Sequence, residues 1–332
     1  MRALVVLALV LAACTTQPNA ATSPTPSPTT PATAIPTQTP RSSPTASPSP
    51  ISLPSIAQLS APSGTVVWAL VAGERLFRSS DRGGTWEERS IPAAVYPSII
   101  EIAFANDQSG LLMSRTATAQ CETLPIALFG TSDGAASWQK LGGSGVADAL
   151  CKSGLSSADP THAFFTASKP GSNPIVYRTA DGGANWAASA PLPTPPNLAG
   201  QATSITITGR PRAFGSIVLV DGGGGQQTKD VFRSTDGGAT FSYASTVPTF
   251  EGTVAYITAT RWLQIATPNS SMETTDGGVS WHAFTTDYSQ AAPIAPDIVF
   301  GDASVGYATV RGSIQRTVDG GAHWTTIKTP GT

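Results

Sequence analysis

The pattern Ser/Thr-x-Asp-x-x-x-x-Trp/Phe occurs six times in this 332-residue chain. Its carboxylates are Asp81, Asp133, Asp181, Asp236, Asp276 and Asp319, and its aromatics are Trp86, Trp138, Trp186, Phe241, Trp281 and Trp324. Five copies have Gly two residues after the Asp; the second has Ala135 there. An Asp at the head of a tight turn accepts hydrogen bonds from the backbone N–H groups that follow, and Gly supplies backbone angles that other residues avoid. The aromatic that follows buries a large apolar face while its indole N–H finds a carbonyl. Successive Asp residues are 52, 48, 55, 40 and 43 apart. A period of that length makes the chain an array of similar supersecondary units, each needing its neighbours to bury its apolar faces.

The pattern resembles the Asp box, or BNR repeat, of sialidases, sortilin-type receptors, xyloglucanases and photosystem II assembly factors. That resemblance implies an all-β fold: a six-bladed β-propeller of four-stranded antiparallel blades, with a box in each turn between third and fourth strands. Composition agrees, since 32 Gly, 28 Pro and only 12% charged residues suit short strands and turns better than helical bundles. Residues 51–332 divide into six repeats of 47, leaving no room for a seventh. In the last repeat the strands read 297–300, 306–310, 313–317 and 323–329; in the second they read 99–104, 110–114, 126–131 and 137–141. A Phe precedes a Gly by six residues in both, Phe104 to Gly110 and Phe300 to Gly306. The first strand of the first repeat is poorly marked, around 51–59, and is expected either to begin blade 1 or to pair at the edge of blade 6.

The chain begins Met1-Arg2, continues with an apolar run over 3–11, and reaches Leu11-Ala12-Ala13-Cys14. These are the parts of an export signal, too short for the roughly 20 residues of a membrane-spanning helix. Leu11 to Cys14 resembles the bacterial lipobox, which implies a diacylglyceryl thioether at Cys14 and an extracytoplasmic protein held to the bacterial cell envelope by lipid alone. Residues 15–50 hold 10 Pro, 10 Thr and 6 Ser, with Arg41 the sole charge. Such a segment cannot offset its ordering entropy and is expected to be a disordered stalk. The net charge of -2 gives no field for nucleic acid.

With Cys14 lipidated, Cys121 and Cys151 remain, and an isolated pair in an exported protein is expected to form a disulfide. Cys121 falls between the second and third strands of blade 2, and Cys151 at the start of blade 3, so both belong to one face of the ring. The longer loops gather on that face, opposite the boxes, and rigid folds position function on such loops. The expected contact surface is Arg115, Glu122, Asp148, Asp221, Glu251, Asp297 and Arg311.

Catalysis finds less support. The sialidase likeness calls for three converging Arg, a Tyr–Glu nucleophile pair, an Asp acid and a Phe/Tyr-Arg-Ile-Pro segment. That segment is absent; the nearest string, Gly209-Arg210-Pro211-Arg212, is expected to have a structural or surface role at a turn. Arg78, Arg178, Arg233 and Arg316 each stand three before a box Asp and repeat with the scaffold. A paired-carboxylate glycosidase has few acids left, Asp148, Asp221 and Asp297. His162, His282 and His323 are scattered without metal-ligand spacing, and Asp221-Gly222-Gly223-Gly224-Gly225 lacks the Lys-Ser/Thr of a phosphate loop. No metal or other cofactor is expected. The expected protein is a monomeric, lipid-anchored binding or assembly scaffold for a protein or glycan partner; the alternative is a sialidase-like exo-acting glycoside hydrolase.

Overall fold

In the computed structural model the described residues are 57–92, 99–116, 125–201, 204–224, 229–249, 252–266, 270–288, 296–310 and 312–331. The expected signal segment, Cys14 and the stalk lie outside them, as do Cys121, Glu122, Glu251 and Arg311.

Six antiparallel sheets follow one another along the chain as the blades of a β-propeller. Each has four strand positions ordered as in the sequence, the first innermost. Blade 1 is Ala57–Ser60, Val67–Val71, Arg75–Ser79 and Glu87–Arg89. Blade 2 is Ile99–Phe104, Gly110–Arg115, Ile126–Thr131 and Gln139–Leu141. Blade 3 is Cys151–Ser157, Ala163–Ser168, Ile175–Thr179 and Ala187–Ala188. In blade 4 the innermost strand is split into Thr206–Ile207 and Arg212–Phe214, ahead of Ile217–Gly223, Asp230–Ser234 and Ser242–Thr246. Blade 5 is Thr253–Tyr256, Trp262–Ile265, Met272–Thr274 and His282–Ala283. Blade 6 is Ile298–Phe300, Gly306–Val310, Ser313–Thr317 and Thr325–Ile327. The outermost strands of blades 1, 2, 3, 5 and 6 are only two or three residues long, which leaves little edge on which another chain could add a strand.

Alternation along the strands explains the ring. Val67–Val71 is buried throughout, because a blade lies between two neighbours and both faces of its strands are covered. Val67, Ala69 and Val71 pack with Val305, Tyr307 and Ile314 of blade 6, whereas Trp68 and Leu70 pack with Ile102, Phe104 and Leu112 of blade 2. Six such clusters fill the six gaps between blades, and each contains one of the six repeated aromatics, Trp86, Trp138, Trp186, Phe241, Trp281 or Trp324. The indole N–H donates to a carbonyl for Trp86 (Lys328), Trp138 (Ser90), Trp186 (Gly183) and Trp324 (Gly321), and to the Ser245 hydroxyl for Trp281. Burying one large aromatic in this way stabilises the fold by about 2–3 kcal/mol.

The Phe-to-Gly step has a steric cause. Phe104 is directly across from Gly110, and Phe300 from Gly306. A Cβ on Gly110 would lie 2.3 Å from the Phe104 ring, and one on Gly306 would lie 2.7 Å from the Phe300 ring. The space vacated at Gly110 admits Phe104, which stacks on Trp68 with centroids 3.6 Å apart.

Blade 1 answers the question left by its faint first strand. Ala57–Ser60 pairs with Val67–Val71, so it begins blade 1, and blade 6 takes all four strands from residues 298–327. Among the described residues no strand crosses from one end of the chain to the other end's blade; contacts made by side chains close the ring instead.

Candidate functional site

The six repeated turns share one hydrogen-bond pattern. In the first, the Ser79 hydroxyl donates to Asp81 Oδ1 and accepts the Gly83 N–H, while Thr85 donates its N–H to Oδ1 and its hydroxyl to Oδ2. The same exchanges recur around Asp133, Asp181, Asp236, Asp276 and Asp319, with the Asn185 amide and the His323 ring taking the place of the second hydroxyl at Asp181 and Asp319. The Thr85 N–H, then the hydroxyls of Ser79 and Thr85, hold the Asp81 carboxyl at about 2. The N–H and side-chain amide of Asn185 do the same for Asp181. Every one of these carboxylates is consumed by its own turn, so none is available for chemistry. Arg78, Arg178 and Arg316 bridge to neighbouring blades, at Asp107, the Gly238 carbonyl and the Arg82 carbonyl respectively.

The principal cavity is the central channel, about 880 Å³, lined by the innermost strands of all six blades. An innermost strand has one edge without a strand partner, and its N–H groups require other acceptors. Side chains of the preceding blade supply them. Asp297 Oδ2 accepts the Leu59 N–H at 2.6 Å, Gln58 Oε1 accepts the Ile102 N–H at 2.7 Å, and Glu101 Oε2 accepts the Leu155 N–H at 2.8 Å. Ser60 Oγ takes the Phe104 N–H at 2.9 Å. Asp297 and Glu101 occupy the same place, three residues before the Phe of the Phe-to-Gly step. The series therefore stitches blade 6 to 1, 1 to 2, and 2 to 3.

In blade 3 the series stops at Gly154, directly before Leu155. A Cβ there would just touch Gly209 O at 3.5 Å and Arg210 Cα at 3.6 Å, so the backbone of blade 4 runs alongside, and the φ of 74 is what favours glycine. That backbone is the break in the innermost strand, residues 208–211. The N–H groups of Thr208 and Gly209 both donate to the Asp221 carbonyl, and a Cβ on Gly209 would lie 2.1 Å from Asp221 Oδ1. The bulge aims Arg210 and Arg212 across the channel. Arg210 donates to the Leu59 carbonyl of blade 1 at 3.1 Å and to Asp297 Oδ2 of blade 6 at 2.8 Å. Arg212 donates to the Phe300 carbonyl of blade 6 at 2.7 Å, and its guanidinium lies 5.7 Å from the Phe214 ring. Burial pushes the Arg212 guanidinium below its ordinary value.

Several expectations change here. The Arg210 and Arg212 segment belongs to the channel wall, and of the structural or surface role expected for it the bonds to blades 1 and 6 give the structural one. Asp221 stands inside the strand Ile217–Gly223 and is buried, not exposed in a loop. It accepts the Thr208 hydroxyl at 2.6 Å and the Tyr256 hydroxyl at 3.2 Å, and burial raises its carboxyl above the usual range. It therefore supports the bulge from inside the blade. Asp297 lines the channel, bound to Arg210 and Leu59. Arg115 lies 3.6 Å from Glu101, and exposed Asp148 contributes its carbonyl to Lys152 Nζ at 3.0 Å. Cys151 is disulfide-bonded. Glu101, Gln58, Arg210 and Arg212 are the channel residues that the sequence reading did not select; the shared offset of Glu101 and Asp297 from their Phe residues was the available signal.

Chemically, the channel holds two carboxylates among the described lining residues, Glu101 and Asp297. Each faces an arginine and accepts a backbone N–H. Both therefore already serve as links in the wall. No group of three or more His, Cys, Asp or Glu among the described residues is placed to hold a metal ion.

Fold and channel thus define a six-bladed β-propeller whose lumen is crossed by arginines. No protein-family model and no curated protein matches the chain. Among solved structures it is similar to YCF48 from Cyanidioschyzon merolae, at 17% identity over 83% of this chain and 87% of that one, with a TM-score of 0.51. A variant of AofleA from Arthrobotrys oligospora shares 14% identity over 83% and 88%, with a TM-score of 0.53. The GH74 enzyme of Niastella koreensis shares 15% identity over 80% of this chain but 46% of its own, with a TM-score of 0.47. At these identities the likeness is one of fold.

Proposed function

We propose that this protein is a lipid-anchored, extracytoplasmic binding or assembly scaffold for a protein or glycan partner, without catalytic activity of its own. Cys14 carries the lipid, the residues of 15–50 hold the propeller away from the bilayer, and the channel with its surrounding loops receives the partner. The observation that supports a binding role over hydrolysis is the state of the channel carboxylates. Glu101 and Asp297 are each paired with an arginine and hydrogen-bonded to the next blade, so they serve the ring. A glycosidase needs one carboxyl held neutral and a second free to attack or to activate water.

The test uses the full lipidated protein in detergent. Binding to arrays of immobilised glycans and envelope proteins is measured beside turnover of a panel of fluorogenic glycosides. Saturable binding without turnover is the expected result. Turnover that falls about a hundredfold or more in Glu101→Gln or Asp297→Asn overturns it in favour of the hydrolase. Radiolabelled fatty acid is expected to enter the parent chain and not Cys14→Ser; label retained by that variant removes the anchor.

A further inference from the structure

Arg210 and Arg212 project from the same bulge but differ in what they meet. Arg210 has Asp297 for a counter-ion. Arg212 lines the channel and has no carboxylate within ion-pair distance among the described residues; its one hydrogen bond there runs to the Phe300 carbonyl. A guanidinium carries five N–H donors in a planar fork, and only one of those of Arg212 has a hydrogen-bond acceptor among the described residues. Confining a cation in a protein channel without an opposite charge is costly, and the other charges lining the cavity are already balanced, Asp297 by Arg210 and Glu101 by Arg115.

We infer that the channel beside Arg212 is a binding site for a small hydroxylated monocarboxylate, a sugar acid or hydroxy acid. The inference rests on the reading of the channel as a binding cavity and names its ligand chemistry. One surplus positive charge calls for one negative charge, and the planar fork suits the two oxygens of a carboxylate. The hydroxyl preference comes from the wall, where Ser157 and Thr253 line the same cavity; each donates to a backbone carbonyl, of Asp159 and Pro296 respectively, so its oxygen is left to accept from a ligand hydroxyl. An extended peptide fits less well, because adding a strand needs free backbone N–H groups on the inner edges, and those of Leu59, Ile102, Phe104 and Leu155 are already taken. Cavity volume is ample for a single sugar ring.

Arginine side-chain NMR on the full protein reads the site directly. The Arg212 Nε–H resonance is assigned by its loss in Arg212→Lys and followed during titration with D-glucuronate, L-lactate and D-glucose. Saturable shifts with glucuronate, absent with glucose, are expected. Lactate separates the sources: a matching shift means that the carboxylate with one hydroxyl suffices, and a much weaker one means that the sugar ring contributes. Calorimetry should show glucuronate binding weakened at least about tenfold in Arg212→Gln, the loss of one charge-assisted hydrogen-bonded contact. Because the resonance is followed in the parent protein, a poorly folded variant does not blunt the test. Equal response to glucose, no response to either acid, or glucuronate binding unchanged in a folded Arg212→Gln overturns the site. Partner binding that persists in those cases leaves the scaffold reading standing.

Discussion

The Leu59 backbone N–H donates to Asp297 Oδ2 at 2.6 Å, joining residues 238 apart in the sequence at the seam where the last blade meets the first. Around it, Trp86 Nε1 donates to the Lys328 carbonyl and Arg316 Nη1 to the Arg82 carbonyl, and Leu59, Val67 and Phe77 pack with Val305, Tyr307 and Ile314. A ring closed by a shared strand has backbone pairing at its seam; this one depends on side chains. Arg210 braces the seam from blade 4 by bonding Leu59 and Asp297 together. Asp297→Ala removes the acceptor of two bonds and strands the Arg210 charge, and should destabilise by about 3 kcal/mol. In urea unfolding, Arg210→Ala combined with Asp297→Ala should cost less than the sum of the single changes. Simple additivity would mean that the two residues do not act as one brace.

Two of the six repeated turns carry non-glycine residues at backbone angles that glycine prefers, Arg82 at φ 64 and Ala135 at φ 61. Arg82 is exposed, and its N–H and carbonyl bonds to Thr65 and Arg316 need no side chain. Arg82→Gly should therefore stabilise by about 1 kcal/mol through relief of left-handed strain. Gly278 is the opposite case. Its φ is 90, and a Cβ would lie 2.5 Å from Ser245 Cβ and 2.8 Å from the Trp262 ring. Gly278→Ala should cost about 2 kcal/mol or more. Thermal denaturation of both variants beside the parent measures the pair.

Acid should loosen the blades in a defined window. The turn carboxyls of Asp81, Asp133, Asp181, Asp276 and Asp319 are held at about 2, and that of Asp236 lower still. An unfolded Asp titrates near 3.9. A depressed native value means that the stabilisation is complete above the unfolded value and is lost as pH falls toward the native one. The melting temperature should fall between about pH 4 and pH 2, with a smaller fall in Asp181→Asn, which begins lower at neutral pH. Asp221 has the reverse sign. Burial raises its carboxyl, so its contribution declines as pH rises above the unfolded value, and Asp221→Asn should flatten that part of the profile. A parent profile level down to pH 2 would contradict the turn chemistry.

The sequence displayed whatever repeats and concealed whatever breaks the repeat. Strands 126–131, 306–310 and 313–317 match their readings because each lies between a turn and a fixed aromatic. Blade count and strand order follow from the spacing of Asp81 to Asp319 for the same reason. Ala57–Ser60 has no strong local signal, since its place is set by Val71 and by Asp297 from the far end of the chain. The channel was hidden for a related cause. Gly154 yields where Glu101 and Asp297 stitch, and only the approach of Gly209 and Arg210 gives that absence a meaning. Asp221 in a run of glycines looks like a loop, yet the burial of Val218 to Val220 beside it makes it a strand.

The cysteines tie the proposed anchor and the expected disulfide into one test. The chain has three, Cys14, Cys121 and Cys151, and Cys151 is in a disulfide. If the Cys14 sulfur is occupied by lipid, Cys121 is the partner left within the chain. Peptide mapping of the lipidated protein without reductant should give one cross-linked pair joining the peptides of Cys121 and Cys151, and no free thiol. Closing a loop of 30 residues is worth about 3.5 kcal/mol in the chain-entropy account, so Cys121→Ser with Cys151→Ser should lower the unfolding midpoint accordingly. Cys14→Ser should leave that midpoint unchanged, because the proposed lipid would act on location and the disulfide on the ring. A Cys14–Cys151 peptide pair would overturn both assignments at once, since a thioether-linked sulfur cannot also form a disulfide.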